Sequence, residues 1–173
     1  MTFTADFATT RFSNAFISND KLADAVSATT ALFKRLSVDD QLAVLWYAYT
    51  ESGRSITPAA PGSARLQLAE GLLNQIKQMP HPEQLQVMRD LATKKDSQIS
   101  RSYSILSPNT KLAFWYQLAQ LMEQGFVVPV PPGYEFSRDG QKVLEAIQLL
   151  DFGQQITVLR NAVIDMGIDP LAD

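Results

Sequence analysis

Not one of the 173 residues is cysteine, which excludes disulfides, iron–sulfur clusters and thiolate zinc sites. Histidine occurs once, as His81 between Pro80 and Pro82. Alone it cannot build a histidine-based metal site, and its flanking prolines mark it as a turn residue. Positive charge is scarce too: 15 Lys and Arg stand against 18 Asp and Glu, a net charge of −3. With no basic stripe to displace counterions, nucleic acid is not an expected partner. The longest unbroken apolar run, Leu42 to Tyr49, falls far short of the ~20 residues that span a membrane. The N-terminus has no basic segment followed by an apolar one, so no secretory signal is expected and the protein should be soluble and cytoplasmic. No G-x-S-x-G, P-loop, G-x-G-x-x-G or H-E-x-x-H pattern occurs, so neither an enzyme nor a metal site is expected. No stretch alternates at period two long enough to make a strand.

What the chain has is helix. With 46% hydrophobic and 19% charged residues it has the composition of an ordinary globular protein. Its organising stretch is Leu106–Gly125, LSPNTKLAFWYQLAQLMEQG, and seventy positions earlier Leu36–Gly53 reads LSVDDQLAVLWYAYTESG. Ser37 and Ser107 stand at N-cap positions, Pro108 suits the first helical position, and Gly53 and Gly125 suit left-handed C-caps. Leu42, Leu45, Trp46 and Tyr49 share one helical face; Leu112, Trp115, Tyr116, Ala119 and Met122 share another. A helix marked by Leu22, Val26, Thr29, Phe33 and Leu36 precedes these, capped from Ser18, Asn19 or Asp20. Further helices are expected over 64–79, from Pro82 to about 92, over 98–105, around Val143–Leu150 and around Ile156–Met166. The Pro-rich 126–136 segment is apolar enough to be packed down, and 55–63 is a loop. Gln84–Asp90 aligns with Gln155–Asn161 at an offset of 71. The spacing predicts an all-α protein: an arm over 1–19, then one helical domain over 20–173 built from two four-helix repeats, about 20–95 and 96–167.

Two bundles meeting with rings on both sides would line a long apolar channel, suited to a rod-like apolar ligand with polar ends. The ordinary alternative is that Trp46, Tyr49, Trp115 and Tyr116 are core filler. Against it, the aromatic faces recur in both repeats, and each ring's N–H or O–H needs a buried partner. Asp39 and Asp40 read as solvated charges complementing a helix dipole. Glu51, Arg54 and Lys111 read as solvated, and Arg160 and Asn161 as helix-surface residues beside the core.

The stretches FKRLSVDDQLAVLWYAY, ITPAAPG, SPNTKLAFWYQL, QGFVVPVPPGY and GQQITVLRNAVIDMG resemble the N-terminal domain of the cyanobacterial orange carotenoid protein family, from about Phe33 to Ile168. The chain ends near where that domain ends, which makes it look like a stand-alone helical carotenoid protein. The resemblance implies two interleaved four-helix bundles with a carotenoid tunnel between them. It implies a ketocarotenoid of the canthaxanthin, echinenone or 3'-hydroxyechinenone type, held by Trp46, Tyr49 and Trp115, to which the aromatic face of the second helix adds Tyr116 as a candidate. Leu42, Leu45, Leu112, Ala119, Met122, Val130, Thr157 and Val163 would line the tunnel. Photoprotection by quenching singlet oxygen, and phycobilisome excitation, is the implied function, with chloride binding. Asn109 and Arg160 match residues that face the second domain in the two-domain family. Arg160 is also the implied docking residue for the phycobilisome at the cytoplasmic face of the thylakoid, and Asn161 is a partner-binding candidate beside it. A separate C-terminal-domain-like protein is the implied pigment donor. Leu32 stands where the family has an arginine and Arg89 where it has a cysteine, which counts against antenna docking. Without a second domain, no reversible light switch is expected. A carotenoid carrier and a pigment-free helical interaction module on the antenna stay open as alternatives.

Overall fold

The computed structural model describes residues 21, 23–52, 66–169 and 171. Among them it contains eight helices and no strand. These are α1 (residues 23–34), α2 (Val38–Ser52), α3 (Leu66–Lys77), α4 (His81–Thr93), α5 (Gln98–Ser104), α6 (Pro108–Glu123), α7 (Arg138–Leu149) and α8 (Phe152–Ile164). The all-α expectation holds. The 1–19 arm with its candidate caps, Leu22, the 55–63 loop and Gly53 lie outside the described residues, as do the side chains of Glu51 and Arg54.

Helix ends fall where short side chains can satisfy backbone donors that have no partner within the helix. The Ser37 hydroxyl accepts from the Asp40 N–H (3.3 Å) and the Ser107 hydroxyl from the Thr110 N–H (3.2 Å). Asp151 opens α8 with a reciprocal capping box, its carboxylate on the Gln154 N–H and the Gln154 amide on its own N–H. At the end of α6, Gly125 takes φ +80°. There the Phe126 N–H bonds the Leu121 carbonyl and the Gly125 N–H the Met122 carbonyl, so the chain turns away without orphaning them.

The helices do not pair off by sequence half. α3 packs on α5 and α6, and α6 on α8; α2 packs on α4 and α7. Gln41 ties α1 to α2, its amide donating to the Phe33 and Leu36 carbonyls. One group is therefore α1, α2, α4 and α7, and the other α3, α5, α6 and α8. Each half of the chain lends its third helix to the other group. α2 and α6 also touch directly. The repeat survives in detail: Gln84 and Gln155, 71 positions apart, each donate at 3.0 Å to the carbonyl eight residues earlier, Ile76 and Ile147.

After α8 the chain passes between α4 and α5 at Gly167. At φ +77° it holds a conformation that side chains disfavour, and its N–H donates to the Leu91 carbonyl (2.9 Å). A Cβ there would stand 2.8 Å from the Tyr103 ring and 2.9 Å from the Ser100 carbonyl. Gly71, by contrast, lies within α3 with nothing within 4 Å of where a Cβ would go. Gly167→Ala should therefore cost about 1–3 kcal/mol, whereas Gly71→Ala should stabilise by roughly 0.5–1 kcal/mol. Urea unfolding followed by circular dichroism measures both, and equal effects of the two substitutions would contradict this account of Gly167.

Candidate functional site

Where the two groups meet there is a cavity of about 180 Å³, lined mostly by apolar side chains. α2 contributes Leu42, Ala43, Leu45, Trp46 and Tyr49, with Asp39 at its start. α6 contributes Trp115, Ala119 and Met122, and α4 contributes Leu85, Met88 and Arg89. The 126–137 segment closes the remaining side with Val128, Pro129, Val130, Pro131 and Tyr134. Helical periodicity explains the first three walls: residues three and four apart on each helix fall on one face.

The rings are anchored through their polar tips. Trp115 is buried, and its Nε1 donates to the Tyr103 hydroxyl at 3.0 Å; that hydroxyl donates to the Val163 carbonyl at 2.6 Å. Phe114 stacks edge-on between the Tyr103 ring (5.3 Å) and the Trp115 ring (5.7 Å). The Tyr49 hydroxyl donates to the Leu112 carbonyl at 3.4 Å. Burial pushes the Tyr49 and Tyr103 phenols well up, so both remain neutral hydroxyls. The polar atoms point into the core and leave the ring surfaces for the cavity.

The closing segment is held at both ends by buried polar side chains. Gln84, 1% exposed, donates to the Phe126 carbonyl (3.0 Å) and accepts from the Val128 N–H (2.9 Å). Asp40, 3% exposed, accepts from the Tyr134 hydroxyl (2.8 Å) and from the Ser137 hydroxyl. Burial, followed by the contact with Asp40, pushes the Tyr134 phenol up to about 12. Asp40 is thus not the solvated helix-start charge that its position suggested: it lies beneath the closing segment, with Gly140 packed against it. Its neighbour Asp39 pairs with Arg89, Oδ1 to Nε at 2.9 Å and Oδ2 to Nη2 at 3.1 Å, at the cavity's mouth.

Of the residues singled out in the sequence, the cavity gathers Leu42, Leu45, Trp46, Tyr49, Trp115, Ala119, Met122 and Val130. Leu112, Tyr116, Thr157 and Val163 do not line it. Leu112 and Val163 are buried beside it and supply the carbonyls that anchor Tyr49 and Tyr103. Tyr116, one residue and so about 100° round the helix from Trp115, points elsewhere and accepts from the Gln120 amide. At the offset of 70, Trp46 is the counterpart of Tyr116, and Trp115 that of Leu45. The two tryptophans therefore reach the cavity from positions that are not equivalent in the repeat. The Thr157 hydroxyl is spent on the Gly153 carbonyl. Lys111, expected to be solvated, is 7% exposed: its Nζ donates to the Ile164 carbonyl at 2.8 Å over the Tyr103 ring, and burial lowers its pKa. Asn109 is exposed, while Arg160 and Asn161 are half-buried, with the Arg160 Nε buried and unpartnered among the described residues. Sequence reasoning did not assign Leu85, Met88, Arg89 or Tyr134 to the site. The inward face of α4 was legible at Leu85 and Met88, but nothing local said which helices it would meet.

The profile described as "Orange carotenoid protein, N-terminal" matches residues 19–169. An orange carotenoid-binding domain-containing protein of a Nostoc species is 72% identical over 173 residues, all of both chains. The orange carotenoid-binding protein of a Synechocystis species is 52% identical over 167 residues, 96% of this chain but 51% of that one, so this chain spans about half of that relative. The solved structure of an Anabaena (Nostoc) orange carotenoid protein binding canthaxanthin superposes with a TM-score of 0.78 at 56% identity, over 86% of this chain and 48% of that one.

Removing the carboxylate of Asp40 leaves the Tyr134 and Ser137 hydroxyls without their acceptor. In Asp40→Ala, amide hydrogen exchange over 128–137 should speed up at least tenfold while the amides of α6 and α8 keep their protection. Unchanged exchange in that segment would mean that Asp40 does not hold it.

Proposed function

The chain belongs to the orange carotenoid protein N-terminal family, and from that premise we propose that its cavity takes one end of a ketocarotenoid in a photoprotective protein. The observation that supports this is the wall itself: Trp46, Tyr49, Trp115 and Tyr134 with aliphatic side chains between them, brought from both helical groups around one cavity. At about 180 Å³ it is smaller than the roughly 300–1,000 Å³ that encloses a whole drug-sized ligand. It suits one end ring of a long polyene, whose remainder runs outwards. Bound there, the pigment supplies the photochemistry, quenching of singlet oxygen. The protein's own residues stack on the ring, fix its direction and keep water from it.

Quenching of phycobilisome excitation ranks second in this reading. The residue for such docking is Arg160, with Asn161 beside it and Asn109 as a further partner-facing candidate. Against it, Leu32 offers the antenna an exposed apolar side chain, 46% accessible, where the family has a cation. Chloride binding, a C-terminal-domain-like donor of the pigment, and a place beside phycobilisomes at the cytoplasmic face of the thylakoid belong to the same reading through family likeness.

Co-expression with a ketocarotenoid pathway, followed by purification and an absorption spectrum, tests the proposal: the protein should come out coloured and yield extractable ketocarotenoid. A colourless product from pigmented cells would favour a pigment-free interaction module. Replacing Trp46, Tyr49 and Trp115 together by Leu removes stacking worth about 0.5–1.5 kcal/mol per ring beyond buried area. That variant should hold at least tenfold less pigment while keeping its helical circular dichroism. Full retention with an unchanged spectrum would place the pigment elsewhere.

A further inference from the structure

The cavity's hydrogen-bond donors are nearly all committed. The Trp115 N–H goes to Tyr103, the Tyr49 hydroxyl to Leu112 and the Tyr134 hydroxyl to Asp40. Each points away from the cavity, so none is available to a ligand. Arg89 differs. A guanidinium carries five N–H groups, and Asp39 takes one from Nε and one from Nη2. Among the described residues nothing takes the two Nη1 hydrogens or the second one on Nη2, on a group that lines the mouth. The paired contact with Asp39 fixes the plane of the guanidinium, so these donors point in a set direction. Two neutral donors on the wall are also without a partner among the described residues, the Trp46 indole N–H and the Val130 backbone N–H.

A hydrocarbon end ring would have no use for this fork, whereas an end ring bearing a carbonyl presents an acceptor. We infer that Arg89, oriented by Asp39, binds the carbonyl oxygen of the ligand's end ring and makes the cavity selective for ketocarotenoids over hydrocarbon carotenes. This rests on the carotenoid reading of the cavity and adds the residue that tells one carotenoid class from another. A bond from a charged donor outweighs one from a neutral indole, so Arg89 is the group that discriminates. The Asp39–Arg89 pair is itself half-exposed, 51% and 39%, and such pairs add little to folding stability. Substitution at Arg89 therefore leaves the scaffold available for the test.

Purified apoprotein is offered canthaxanthin and β-carotene in parallel, as wild type, Arg89→Met, Arg89→Lys and Trp46→Phe, with circular dichroism confirming the fold of each. The wild type should take up canthaxanthin at least tenfold better, and its resonance Raman spectrum should show a C=O stretch shifted down by hydrogen bonding. Arg89→Met should lose both the preference and the shift, Arg89→Lys should recover part of each, and Trp46→Phe should keep the preference. A wild type that binds both pigments equally, or a preference that survives in Arg89→Met or vanishes in Trp46→Phe, overturns the role of Arg89 while leaving carotenoid binding intact. A wild type that binds neither pigment removes the carotenoid reading itself.

Discussion

A phenol at the centre of a helical group has one stable arrangement, in which its hydroxyl is satisfied on both sides. Tyr103, fully buried, meets that demand by accepting from the Trp115 indole and donating to the Val163 carbonyl. Three elements are thereby fixed against one another: α5 carries the phenol, α6 the indole and α8 the carbonyl. An unmet donor or acceptor at such depth costs about 1–3 kcal/mol, a large share of what holds a domain of this size folded. The close approach of Gly167 to the same ring shows how little room the arrangement leaves. The orientation of the Trp115 ring, and with it one wall of the cavity, follows from this single hydroxyl.

The other side of the cavity rests on a different solution to the same problem. A segment with prolines at 129, 131 and 132 cannot satisfy itself through a regular backbone ladder. Gln84 and Asp40 supply the missing partners from α4 and α2. Both are buried side chains in which every polar atom has a hydrogen-bond partner, the condition under which burial specifies structure instead of weakening it. The cavity thus has three walls made by helix periodicity and one made by side chains reaching across to a non-helical strap.

How much of this was legible in the sequence depended on the range of the interaction. Ser37, Ser107 and Gly125 act within one helical turn, and their caps could be read directly. The aromatic faces of α2 and α6 were legible for the same reason, since periodicity assigns a face without naming its partner. Asp40 and Lys111 were misread because the rules applied to them were local: a first-turn charge such as Asp40 usually meets water and the helix dipole, and a lysine such as Lys111 is usually a solvated surface cation. Their partners lie far along the chain, Tyr134 and Ser137 for one and Ile164 for the other, and no local pattern announces them. Tyr116 shows the opposite error, in which a face drawn about one residue too wide took in a ring that the helix turns aside. The family likeness supplied the interleaving, which the repeat alone left undetermined between two self-contained bundles and two exchanged ones.

That exchange has a consequence for synthesis. A ribosome delivers α1 to α4 before any of the second half exists, yet α2 packs on α7, about a hundred residues downstream. Until α7 emerges, the face of α2 that will receive it is open, and α3 likewise waits for α6 with its apolar side uncovered. Pairings so distant in sequence are slow to form because loop closure must precede the contacts that reward it. The nascent first half is therefore not a finished module that a second one joins. It is an incomplete intermediate exposing hydrophobic surface, the kind of species that chaperones bind, and folding completes only when the last two helices arrive, α7 to cover α2 and α8 to cover α6.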